Sequence, residues 1–228
     1  MCSKEDVSRR TSSSKMFILG NSRYCSYIFT ETVHVQDLSG AWTEIDNTLI
    51  EDKDGSGRLL RNTDNPALHV ILRSGKSPEL VRLEDPDGYS VSWTVSGASD
   101  AEPRTVVPSP APEQEGPFSP EQLYARVNTE AEYEDIFPGT TLRCRIRSTM
   151  FKDEWVFAKK EYIRPVVLQI HAPGLCLSLN DNNQIEASAP SGEVPFILLA
   201  PFMKQADEGI PSGPVKTELV PSPEHPDT

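Results

Sequence analysis

The chain has 228 residues, a hydrophobic fraction of 37% and a formal net charge of −12, enough for one large or two small domains. No Lys/Arg cluster supplies the basic face that a nucleic-acid binder needs, and no run of about 18 apolar residues offers a membrane span. The 20 Pro and 13 Gly punctuate many short elements and argue against long helices.

Residues 1–14 are charged and Ser-rich with no apolar core, and read as a disordered N-terminus with no visible secretory signal. Residues 15–100 form a first β-rich half. In "KMFILGNSRYCSYIF" an apolar run, an Asn-Ser turn and the alternating Tyr24, Ser26 and Ile28 predict two strands. "ETVHVQDLSGAWTEIDNTLI" reads as strand, turn at Asp37 to Gly40, strand. "EDKDGSGRLL" holds a further turn, and "LEDPDGYSVSW" is a hairpin around Asp-Pro-Asp-Gly. Residues 101–120 are a Pro-rich loop or linker. "SPEQLYARV" offers either one short helix, with Ser119 as N-cap and Pro120 in its first turn, or a direct lead into a strand.

Residues 121–207 form a second β-rich half. After a turn at Pro138-Gly139, Leu142, Cys144 and Ile146 fall on one face, and Arg143, Arg145 and Arg147 on the other. That is the alternation of a half-solvated strand. "LCLSLNDNNQIEAS" is a hairpin with an Asn/Asp turn, and residues 208–228 are a Pro-rich tail or linker. The expected fold class is all-β: an antiparallel β-sandwich or extended packed sheets, with at most one short helix.

The acidic stretch "GAWTEIDNTLIE" over Gly40 to Glu51 is the first candidate for chemistry. Glu44 and Asp46 lie two apart and share a face of a strand, as the acids of some retaining glycosidases do. The third acid of that pattern is missing: positions 48 and 49 are Thr and Leu, and Glu51 falls on the opposite face. The stretch therefore reads as a framework strand, with Trp42, Glu44, Asp46 and Asn47 holding neighbouring backbone. Trp42 and Ile45 are three apart and cannot share a face, so either the strand is covered on both sides or a bulge near Thr43–Glu44 turns the chain.

"DKDGSGRLLRNT" resembles a calcium loop at Asp52, Asp54, Ser56 and Gly57, but Thr63 stands where the bidentate Glu belongs. A solvated turn is the simpler reading. Cys2, Cys25, Cys144 and Cys176 form no C-x-x-C pair. Cys144 and Cys176 read as small core residues, with a disulfide between them left open. His34 and His69 sit in apolar alternations as strand positions, without ligand spacing for zinc. Trp42, Trp93 and Trp155 offer rings for a sugar-binding face or for the core.

Several segments together resemble a family. "ETVHVQDLSGAWTEIDNTLI", "YEDIFPGTTLRCRI", "KDEWVF" and "GLCLSLNDNNQIEASAPSGEVPFILLAPFMKQADEG" occur in the order found in the N-terminal β-rich region of bacterial Rhs/YD-repeat, wall-associated and DNRLRE-module surface proteins. Thr141, Cys144 and Lys204-Gln205 depart from that family's usual residues. The resemblance implies a non-catalytic structural or interaction module of a secreted or cell-surface protein, without cofactor or metal. Its partners would be neighbouring modules of a longer polypeptide, with cell wall or glycan as a further partner and no nucleic acid. The alternative is a carbohydrate-binding β-sandwich assisted by calcium. A third reading is a glycosidase acting through Glu44.

Overall fold

The computed structural model describes residues 4–37, 39–55, 57–106, 126–205 and 211–221, with the main chain alone at 211–214. A three-stranded sheet comes first, from β1 (Lys4–Glu5), β2 (Ser14–Gly20) and β3 (Arg23–Ile28). A small hairpin follows, β4 (His34–Gln36) with β5 (Trp42–Glu44). Next is a meander of β6 (Asp46–Asp54), β7 (Gly57–Asp64), β8 (His69–Leu72), β9 (Val81–Glu84) and β10 (Ser90–Val95). A four-stranded sheet is built from β11 (Arg104–Val106), β12 (Asn128–Phe137), β13 (Thr140–Arg147) and β14 (Met150–Phe157). Then β15 (Leu168–His171) returns to the meander and pairs with β10, completing a six-stranded sheet. The chain ends in β16 (Cys176–Leu179), β17 (Ile185–Ser188) and β18 (Phe196–Leu198), then β19 (Phe202–Lys204) with β20 (Pro211–Pro214). The helical residues described are two short 3₁₀ turns, Val7–Arg9 and Lys160–Tyr162. The protein is all-β, and its sheets are antiparallel.

Local chemistry sets the hairpins. Asn21 and Ser22 both take positive φ between β2 and β3, the geometry that matches a two-residue turn to strand twist. Asp37 and Asp85 use one device: each Oδ1 accepts backbone N–H groups two and four residues on, at Ser39 and Ala41 and at Asp87 and Tyr89. Gly139 turns β12 into β13 at φ +66°, and a Cβ there would lie 2.5 Å from the Tyr162 ring. Only glycine meets both demands.

The six- and four-stranded sheets share one apolar core. Leu60, Val70, Leu72, Val81, Val91 and Trp93 from the first meet Ala131, Tyr133, Leu142, Cys144 and Ile146 from the second. Trp93 packs edge-to-face on Phe151 of β14, with ring centroids 5.7 Å apart. Ala187 and Phe196 of the β16–β18 sheet belong to the same core. The β6–β10 meander and the β12–β14 sheet are therefore two stretches of one packed unit, and β15 is the strand that crosses between them.

Several expectations are corrected. From Lys4 onward the N-terminal segment is not disordered: β1 pairs with β2, and Arg10 bonds both carboxylate oxygens of Glu5 at 2.8 and 2.9 Å. Composition missed this because its partners lie on other elements. Arg104–Val106, expected in the 101–120 linker, forms an edge strand on β12; residues 107–120 and the short-helix alternative at Ser119 lie outside the described residues. In the Pro-rich tail, β20 pairs with β19, and the Asn183 amide binds the Val215 carbonyl and the Thr217 N–H. Cys176 is exposed because it shares the outward face of its strand with Ser178, while Cys144 is buried. The two are free thiols, with no disulfide between them.

Candidate functional site

The acidic stretch lies where the chain changes sheets. β5 pairs with β4, ladder pairing stops at Ile45, and β6 pairs with β7. Ile45 is fully buried and its N–H is held by the Val33 carbonyl at 3.1 Å. An extra residue then enters β6: Asp46 faces Asp64 but Leu49 faces Asn62. The register shift lies between Asp46 and Leu49, beyond the Thr43–Glu44 position expected. It rotates Asn47 inward.

Asn47 is 0% exposed. Its Nδ2 donates to the carbonyls of Val127 and Ser148, both at 2.8 Å. Its Oδ1 accepts from Nδ2 of Asn62 at 3.1 Å and of Asn65 at 2.8 Å. Two donors and two lone pairs are a primary amide's full capacity, so this side chain is saturated. The amide orientation follows from the partners, since the carbonyls only accept. The two asparagines that meet it are held just as firmly. Asn62 Oδ1 accepts from Val70 N at 2.9 Å and Asn65 Oδ1 from Ala67 N at 3.0 Å. Asn62 also donates to Leu68 O, and Asn65 to Ser148 O. Ser148, at positive φ in the β13–β14 turn, carries the network on to Thr32 O through its hydroxyl at 2.5 Å. Three buried asparagines thus tie β6, β7, the 65–68 turn and the β13–β14 turn together. Ser148 extends that tie to the segment before β4.

The neighbouring carboxylates also bind this chain. Asp46 Oδ1 accepts the Thr48 N–H at 2.9 Å, and its Oδ2 lies 3.6 Å from Arg126. Glu44 pairs with Lys15, whose side chain is 5% exposed, and lies 3.8 Å from Arg10. Trp42 is half-buried, and its carbonyl accepts from Arg10 at 3.3 Å. Trp42, Glu44, Asp46 and Asn47 are thus brought together in sequence but look to different partners: the N-terminal segment for the first two, the β6–β7 and β13–β14 regions for the others. Asn62, Asn65 and Ser148 went unnoticed in the sequence. Their one local sign is an asparagine, a poor strand former, amid the apolar run of β7.

The other candidates separate. Asp52 and Asp54 stand at the exposed β6–β7 hairpin, paired to Arg61 at 2.6 Å and Arg73 at 2.7 Å. Ser56 lies outside the described residues. Among the described residues no three His, Cys, Asp or Glu side chains gather as a metal-binding group. Trp93 is buried, and Trp155 stacks on Phe137 against the core, its Nε1 donating to Asp153 at 3.4 Å. Burial pushes the Asp153 carboxyl above the usual range. Burial likewise raises the Cys144 thiol well above its ordinary value, with Asp153 and Glu130 adding to it. An open groove beside β10 and β15, lined by Lys76, Thr94, Ser96 and Gln169, contains none of the candidate residues. Among the described residues no helix is long and apolar enough to cross a membrane. Set against known protein families, curated proteins and solved structures, the chain has no match.

Proposed function

We propose that this chain is a non-catalytic structural or interaction module of a bacterial secreted or cell-surface protein of the Rhs/YD-repeat-like kind, working beside neighbouring modules of a longer polypeptide. The observation that carries this reading is the saturation of Asn47, all four of whose amide hydrogen bonds go to its own chain. A polar group so committed rigidifies the frame and has no capacity left for a substrate. Glu44, which a retaining glycosidase would use, is paired to Lys15. The motif order of the resemblance adds its support.

The test is a glycan array run with and without calcium, together with a β-glucan hydrolysis assay on the chain and on Glu44→Gln. The expected result is no calcium-dependent glycan signal and no hydrolysis that depends on Glu44. A calcium-dependent hit would overturn the reading in favour of a carbohydrate-binding sandwich, and Glu44-dependent hydrolysis in favour of a glycosidase.

A further inference from the structure

The N-terminal unit has its own small apolar core of Phe17, Phe29, Val33 and Val127, with Tyr27 packed on it, apart from the sandwich core. Beside it lies a group of charges with a histidine at its centre. His34 is 0% exposed. Its Nδ1 lies 2.8 Å from the Thr11 carbonyl oxygen; a carbonyl only accepts, so Nδ1 carries the proton of the neutral ring. Nε2 has no hydrogen-bond partner among the described residues and lies 3.9 Å from Glu5 Oε1.

The charged groups around the imidazole come from every element packed there. Glu5 comes from β1, Arg10 from the segment after the first 3₁₀ turn, Lys15 from β2, and Glu44 from β5, directly opposite His34 in the ladder. Two cations and two carboxylates cancel while the ring is neutral. A proton on Nε2 leaves one uncompensated positive charge in a closed site. Burial pushes the His34 pKa below its ordinary value; the Thr11 carbonyl and the Glu5 carboxylate oppose this, while Arg10 and Lys15 add to it.

We propose that His34 and its charged neighbours form an acid-sensitive clasp that holds residues 4–15 on β4 and β5 at neutral pH and releases them on acidification. Main-chain bonds join it. Ser12 O accepts from the N–H groups of Val33 and His34 at 2.7 and 3.1 Å, and Ser13 O from Phe29 at 2.8 Å. Lys15–Glu44 and the Arg10 contacts with Trp42 O and Glu44 also reach β5, and Arg10–Glu5 closes the segment on itself. β1 and the Asp6 N–H pair with β2, and Ser14 and Lys15 pair with β3. The open form binds the extra proton more readily than the closed one. Closure is therefore fully stable above about pH 6.5, the value of a free imidazole, and weakens as pH falls toward the lowered value. Burial works to raise the Glu5 carboxyl, but Arg10 and Lys15 hold it below the usual range. Its protonation at still lower pH removes the carboxylate end of the Arg10 bond and opens the clasp in the same direction. The proposal is independent of the module's partner.

The test is hydrogen exchange of the full chain at pH 7 and pH 5, corrected for intrinsic exchange rates. Amides of residues 4–15 should open up to about tenfold more per pH unit, the limit for uptake of one proton, while β7 to β10 keep their protection. His34→Asn keeps a donor for Thr11 O and does not titrate, so its acid response should vanish. Should that variant not fold, an NMR titration of the unaltered protein serves. His34 Cε1–H should titrate below the value of a free imidazole, in step with opening of residues 4–15. Equal protection at both pH values, a persisting response in His34→Asn, or titration of His34 without opening would each overturn the clasp.

Discussion

The sandwich core and the N-terminal unit solve the same problem by different means. In the sandwich, two sheets bring whole faces of apolar side chains together, and Tyr133, Leu142, Cys144 and Ile146 are at 0% exposure. Burial of that extent is non-directional, and many neighbours share its stabilisation. The N-terminal unit has Phe17, Phe29, Val33 and Val127 and little else that is apolar. It closes instead on Glu5, Arg10, Lys15, His34 and Glu44, whose attraction is offset by the desolvation of each charge. The contrast teaches that one chain can carry a region whose stability is set by area and another whose stability is set by protonation. The asparagine hub and Ser148 stand between them and belong mechanically to both.

That contrast can be broken by mutation. The largest effect is expected in the sandwich: Leu142→Ala should destabilise the whole chain by about 2–5 kcal/mol, as buried leucine truncations do. It would appear as a lower denaturant midpoint with one cooperative transition. A change confined to one sheet would mean that the two sheets do not share a core. Asn47→Ala comes next. It strands two asparagine donors and removes one amide donor from each of two carbonyls, of which Ser148 O keeps Asn65, at a cost of about 3 kcal/mol. Loss of protection should appear in β6, β7 and the β13–β14 turn together; a loss confined to β6 would reduce the hub to a local tie. Glu44→Gln is the smallest. Its carboxylate is one-third exposed, so global stability should change by less than about 1 kcal/mol, while exchange in residues 4–15 rises. A larger global loss would place the ionic group within the main folding unit and erase the distinction.

The hairpins were legible because their instructions are local. Asp37 and Asp85 bond backbone two and four residues away, and the Leu142–Cys144–Ile146 alternation states its own buried face. The same rule misplaced Cys176. It stands between leucines, so it looked apolar by neighbourhood, although on a strand it takes the other face. Residues 4–14 departed from expectation for a related reason. Glu5 and Arg10 look like solvated charges until the fold brings His34 and Trp42 alongside.

The sequence by itself determined the all-β class and the positions of the turns, because alternation and turn chemistry act over a few residues. Only the tertiary structure decided which main-chain carbonyls meet Asn47 across 80 and 101 residues. It alone also decided that β15 crosses to β10, and that a histidine in an apolar strand sits among four charges. A hydrogen-bond partner or a counter-ion is a property of position in space, and no local pattern encodes it.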